Sequence, residues 1–194
     1  MREICLYGWL DQGALIASEI LVAAAVSEGK YGKSIPCFGL EQENSLQKVL
    51  VRIADEPINH SFQQSNVHCV IILDPSIVET VDVYQGLWEK GSVIINETKM
   101  AHELTLPKEV TNFGVVDANA IAMEILGSPA VNSVMLGAFA KTTGLLSLCS
   151  IMENLAGYFP TRMLVKHKQA VRQGYDSTTV VEIGTVMKEG SRCG

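Results

Sequence analysis

The chain has 194 residues, a formal net charge of −6 and 47% hydrophobic residues, enough for one domain to bury its own core without disulfides or a structural metal. With a pI near 5.2 it lacks the basic patch usual in a nucleic-acid binder, and its one dense basic stretch, Arg162, Lys166, His167, Lys168 and Arg172, is spaced to lie on the solvated face of a helix. The longest apolar run, Ile20 to Val26, falls far short of the about 18 residues that suggest a membrane span, and residues 1–10 lack a signal peptide's basic-then-apolar layout, so a cytoplasmic protein is expected.

Ile4–Tyr7 reads as a first strand, followed by a helix from about Asp11 to Glu28 that ends at Gly29, a residue suited to the left-handed position after a helix. Ser34–Phe38 is a second strand, confined by Pro36 to an edge or a strand end. Gln47–Ala54 alternates, with Val49, Val51 and Ile53 on one face, and runs into the turn Asp55-Glu56-Pro57. Val67–Leu73 is almost continuously apolar, the mark of a strand covered on both faces.

Asp74 and Pro75 then suit the cap and first turn of a helix reaching about Trp88. Ser92–Ile95 and Phe113–Val116 are further strands, and Asp117 caps a helix that runs to Leu126 and stops at Gly127. From Ala130 the pattern is helical, in segments near 130–143, 147–157 and 160–173, the last ended by Gly174. A domain over 1–176 and a polar tail over 177–194 follow, the tail holding one candidate strand, Val180–Ile183. Alternating strands and helices predict a three-layer α/β/α sandwich. The excursion at 47–54 makes its sheet mixed, though mostly parallel. A mean hydropathy of +0.21 leaves apolar surface for a subunit interface, a homodimer included.

The loop 8–13 joins a strand to a helix, the place where α/β folds offer backbone N–H groups to anions. Only Gly8 and Gly13 stand in it, so neither a dinucleotide fingerprint nor a P-loop is present. It reads either as a plain turn with Asp11 as N-cap, or as an anion site that Asp11 weakens by charge and by occupying those N–H groups. Glu41, in the acidic stretch Gly39 to Asn44, is placed either to accept a ribose hydroxyl or to face solvent. The five cysteines are scattered, the four histidines form no metal-ligand spacing, and no nucleophile elbow occurs. The small-residue helix Asn132 to Ala140 suits either close internal packing or a subunit contact.

Several of these stretches resemble a family. Gly8, Gln12 and Gly13 match part of a G-x-G-G-Q-G loop, Val116-Asp117-Ala118 with Gly127 matches a later segment, and "VNSVMLGAFAKTTG" is the most specific. With the closing "YFPTRMLVKHKQAVRQGYD", they make the chain similar over residues 1–176 to the gamma subunit, or gamma domain, of the 2-oxoacid:acceptor oxidoreductases, which include the pyruvate and ketoisovalerate:ferredoxin enzymes.

The resemblance implies an accessory subunit, silent alone, beside partner chains that bind thiamine diphosphate and ferredoxin-like chains that carry iron–sulfur clusters. It implies coenzyme A near Gly8, Gln12, Gly13 and Glu41. It assigns Asn132, Met135, Gly137 and Phe139 to partner contact or helix packing. The chain departs from the family at Leu10 and Asp11, where the loop has glycines, and after the second strand, where Glu41 stands without the family's arginines. The rivals are an autonomous small-molecule or nucleotide-binding protein and a structural homodimer that has lost ligand binding.

Overall fold

In the computed structural model, seven strands form one mixed sheet. The structure describes residues 1–37, 46–58, 66–98 and 105–183. The strands are β1 (Arg2–Trp9), β2 (Tyr31–Cys37), β3 (Leu46–Ala54), β4 (Val67–Ile72), β5 (Leu87–Asn96), β6 (Val110–Val116) and β7 (Thr179–Glu182), in the spatial order β2-β3-β1-β4-β5-β6-β7. β1, β4, β5 and β6 are parallel neighbours, while β3 opposes β1 and β2, and β7 opposes β6. The expected mixed, mostly parallel sheet is the one that forms.

Helices α1 (Ala14–Ser27), α3 (Ala118–Leu126), α4 (Asn132–Thr143), α5 (Leu148–Asn154) and α6 (Thr161–Ser177) share one core with Ile4, Leu6, Val49, Val51, Cys69, Ile71 and Ile94. The opposite face of the sheet, with Tyr7, Val70, Ile72, Val93 and Phe113, packs against Ile77 and Val83 of the segment that holds the one-turn helix α2 (Ile77–Thr80). The outer layers are therefore unequal. Val49, Val51 and Ile53 face α1 as their alternation predicts, but Leu50 and Arg52 on the other side of β3 are buried too.

Three expectations need correction. The helix expected from Asp74 to Trp88 is one turn: Val81 is extended at φ −139°, Asp82 turns the chain by accepting the Tyr84 N–H at 3.1 Å, and Gly86 takes φ +77°. The β-branched run Val78, Thr80, Val81 and Val83 favours that extension. Trp88 thus belongs to β5, which a bulge at Gly91 and a left-handed Lys90 (φ +70°) separate from its central part. Gly174 does not end the last helix; it is buried inside α6 against α4. His167 leaves the solvated face, with Nδ1 2.8 Å from Ser133 Oγ and its ring stacked on Phe159, and burial lowers its pKa. Thr179–Glu182 joins the sheet edge as β7, while the rest of the tail from residue 184 lies outside the described residues.

The end of α1 is fastened to the start of α5 through Glu28. Its Oε1 accepts the Ser147 N–H at 2.7 Å and the Ser150 hydroxyl at 2.6 Å, and Lys30 Nζ bonds Oε2 at 2.7 Å. Partial desolvation alone would raise this carboxyl, but the donors from Lys30, Ser150 and Ser147 outweigh it and hold it at about 2, against an ordinary 4.5. A depressed carboxylate stabilises the fold above its unfolded pKa and loses that contribution as pH falls through the folded one. Glu28→Gln should therefore cost on the order of 2–3 kcal/mol at neutral pH. The gap to the native chain should narrow from pH 4.5 downward toward 2, as read by urea unfolding. A gap independent of pH would mean that the ionised carboxylate is not what holds the latch.

Candidate functional site at the carboxyl edge of the sheet

β1 ends in a tight turn. Leu10–Gln12 form one turn of 3-10 helix, and Gly13 takes φ +76° before α1 begins. The turn is closed by Gln12, whose Oε1 accepts the Trp9 N–H at 2.9 Å. The same side chain reaches across to β4, donating from Nε2 to Asp74 Oδ2 at 3.0 Å. Asp74 Oδ1 accepts the Ser76 N–H at 3.0 Å and its hydroxyl at 2.6 Å, and Ser76 Oγ accepts Trp9 Nε1 at 3.3 Å. Four side chains thus form a ring that ties the ends of β1 and β4 together.

Gly13 is favoured by its left-handed backbone, and both glycines stand close to neighbouring side chains. A Cβ on Gly8 would lie 2.5 Å from Leu73 Cδ1, and one on Gly13 would lie 2.5 Å from Asn132 Nδ2. Asn132 is buried at the start of α4, where its Oδ1 accepts the Ser133 N–H at 2.8 Å. Nearby, Asn96 donates to the Leu73 carbonyl at 2.8 Å and accepts the Ala118 N–H at 2.9 Å, joining β4, β5 and α3. Asp117 caps α3 through the Ala120 N–H at 2.9 Å, as expected.

Asp11 departs from expectation. It is exposed within the 3-10 turn, and among the described residues no side chain caps α1. Gly13 stands at the N-cap instead, because its left-handed backbone turns the chain before Asp11 can reach the helix. Among the described residues, the first N–H groups of α1, which have no partner inside the helix, therefore lack a competing carboxylate. Asp11 opposes an anion there by charge alone.

The structure brings Gly8, Gln12, Gly13 and Asn132 to one edge; Glu41 lies outside the described residues. Met135, Gly137 and Phe139 are buried within the chain, between its own sheet and α6, as is most of Asn132. Their contacts within the chain are those of helix packing. Sequence reasoning missed Asp74, Ser76 and Asn96 as site residues. Asp74-Pro75-Ser76 carries a turn signal, but its link to Gln12 depends on strand pairing. Among the described residues no cluster of His, Cys, Asp or Glu could hold a metal ion. Cys5 and Cys69 are buried, their thiols pushed up by desolvation, Cys5 to about 11.

A profile of the family described as pyruvate ferredoxin/flavodoxin oxidoreductase matches residues 3–177. The chain is 40% identical over 176 residues to pyruvate synthase subunit PorC of Methanothermobacter marburgensis, covering 91% of this chain and 97% of the relative. It is also 40% identical over 185 residues to the pyruvate/ketoisovalerate oxidoreductases common subunit gamma of Thermococcus litoralis, covering 94% and 100%. The crystal structure of pyruvate oxidoreductase subunit PORC from Thermotoga maritima superimposes with a TM-score of 0.74 at 28% identity, over 93% of this chain and 98% of that one. A 2-oxoglutarate:ferredoxin oxidoreductase from Magnetococcus marinus, with 2-oxoglutarate, coenzyme A and succinyl-CoA bound, shares the fold at a TM-score of 0.75 and 16% identity, over 32% of its chain. From Glu3 to Ser177, this chain belongs to the pyruvate ferredoxin/flavodoxin oxidoreductase family.

Proposed function

We propose that the chain is the gamma-type subunit of a cytoplasmic 2-oxoacid:ferredoxin oxidoreductase complex, which oxidatively decarboxylates a 2-oxoacid to an acyl-coenzyme A, and that it is inactive alone. The observation that carries this reading is length-matched similarity: the chain covers 97% and 100% of two relatives that are themselves named as subunits. Thiamine diphosphate and the iron–sulfur clusters belong, in this reading, to thiamine-binding and ferredoxin-like partner chains.

Coenzyme A is the ligand proposed for the carboxyl edge. The uncapped N-terminus of α1 and the Cβ-free Gly13 suit its diphosphate. Asp11 opposes it. At about 5 Å, two unit charges repel by roughly 3 kcal/mol at an effective dielectric of about 20, but by only about 0.8 kcal/mol in water. Asp11 is exposed, so the smaller figure governs. Asp11→Asn should therefore tighten coenzyme A binding about fourfold at low salt, measured by calorimetry.

The functional test is purification of the tagged chain from its own cells. It should arrive with larger chains, and the complex should reduce a viologen dye with a 2-oxoacid and coenzyme A. The chain stripped of partners should reduce none. A monomer that turns over unaided would establish an autonomous enzyme instead, and a partnerless homodimer without activity would establish a structural role.

A further inference from the structure

At the opposite edge of the sheet, the amino ends of the parallel strands border a cleft of about 250 Å³. Its floor is a row across four strands, in which Ile4 pairs with Cys69, Cys69 with Ser92, and Ser92 with Asn112. Arg2, His68 and Lys90 line it, with Thr143 and Leu145 from the end of α4. Four strand steps, about 13 Å, separate Ser92 here from Asn96 at the carboxyl edge, so the two regions are distinct.

Two features of this cleft suit a ligand. Ser92 is only 8% exposed, yet its hydroxyl has no hydrogen-bond partner among the described residues, and the half-buried Asn112 amide has none either. Arg2 and Lys90 make no ion pair among the described residues, in an acidic chain. Lys90 also holds a left-handed backbone, φ +70°, that a residue with a Cβ adopts only at a cost. The bulge beside it sets the lysine at the cleft. Arg2 and Lys90 are both exposed, so their charges, the Ser92 hydroxyl and the Asn112 amide are all open to a molecule entering the cleft.

We infer that this cleft binds a phosphate group, with Arg2 and Lys90 supplying its counter-charges and Ser92 Oγ and the Asn112 amide donating to its oxygens. His68 lines the cleft beside them. Its Nδ1 accepts the Glu3 N–H at 3.2 Å. Charge-assisted bonds from two cations favour a phosphate dianion over a singly charged carboxylate. The phosphate is either free or carried on a larger metabolite.

The test is an NMR titration of the ¹⁵N-labelled full chain with inorganic phosphate at constant ionic strength. Saturable shifts are expected at the Lys90, Ser92 and Asn112 amides. Lys90→Gly should weaken binding about fivefold or more by removing a charge-assisted contact, and it should raise the melting temperature, because glycine takes the left-handed backbone freely. Lost binding in a more stable chain separates the contact from the fold. Ser92→Ala should weaken binding about threefold or more. Phenyl phosphate, competing for the same shifts, tells a carried phosphate from a free one by which binds tighter. Shifts confined to Ala14 and Leu15 would assign phosphate to the carboxyl edge and overturn the inference, as would the absence of saturable shifts or unchanged affinity in Lys90→Gly. None of these outcomes bears on whether the chain is an oxidoreductase subunit, which co-purification decides.

Discussion

Gly137→Ala and Gly174→Ala should each destabilise the chain by about 3 kcal/mol or more, lowering its melting temperature by about 6–12 °C. The two glycines are where α4 and α6 meet backbone to backbone. A Cβ on Gly137 would overlap the Val171 carbonyl oxygen and lie 2.6 Å from the Tyr175 amide nitrogen. A Cβ on Gly174 would overlap the Val134 carbonyl oxygen and lie 2.8 Å from its carbon. Backbone cannot move aside as a side-chain tip can, so the helices must separate and lose packing along their length. Alanine's better helix propensity returns only about 1 kcal/mol, and the clash wins. Gly157→Ala is the control, since a Cβ there meets nothing within 4 Å, and its melting temperature should stay near the native one. Thermal unfolding of the three variants decides the matter. Native-like stability in both helix variants would mean that α4 and α6 do not touch as described.

Arg52→Met should cost about 3–5 kcal/mol, the usual penalty for orphaning a buried charge, while Glu3→Leu combined with Arg52→Met should recover most of it. Glu3 and Arg52 stand directly opposite on β1 and β3, with Arg52 Nε 2.7 Å from Glu3 Oε1 and both side chains largely buried. The pair is incompletely satisfied, because Glu3 Oε2 is buried without a partner among the described residues. Its attraction offsets a desolvation cost that an apolar pair would not carry, so the double replacement should end within about 1 kcal/mol of the native chain. Urea unfolding of both singles and the double completes a cycle whose coupling term reads the pair directly. An additive cycle would show that the two charges do not depend on each other.

The carboxyl-edge ring and the amino-edge cleft lie at opposite ends of the same parallel strands. Ligands of α/β sheets gather at the carboxyl ends, where loops and helix N-termini meet. The chain keeps that edge tightly cross-linked through Gln12, Asp74, Ser76 and Asn96. Gln12 serves as a structural tie as well as a residue beside the proposed ligand. A change there would alter loop geometry and binding together, which is why the charge at Asp11, outside the ring, is the cleaner probe.

The sequence by itself determined the class and much of the order of this fold. Continuous apolar runs marked β4 and the centre of β5, alternation marked β3, and Asp117 and Gly127 bounded α3, because each signal is local to the element it defines. The glycine-marked loop and the "VNSVMLGAFAKTTG" helix carried the family for the same reason: they are contiguous. Only the tertiary structure decided what depends on residues distant in the chain. Gly174 looks like a helix stop until α4 lies against it, and His167 reads as surface until Ser133 and Phe159 enclose it. Asp11 reads as a cap until Gly13 turns the backbone away. Gln12 and Asp74 are 62 residues apart, and they meet because β1 and β4 pair in parallel, a register fixed by the burial of both strands and written in no single stretch of residues.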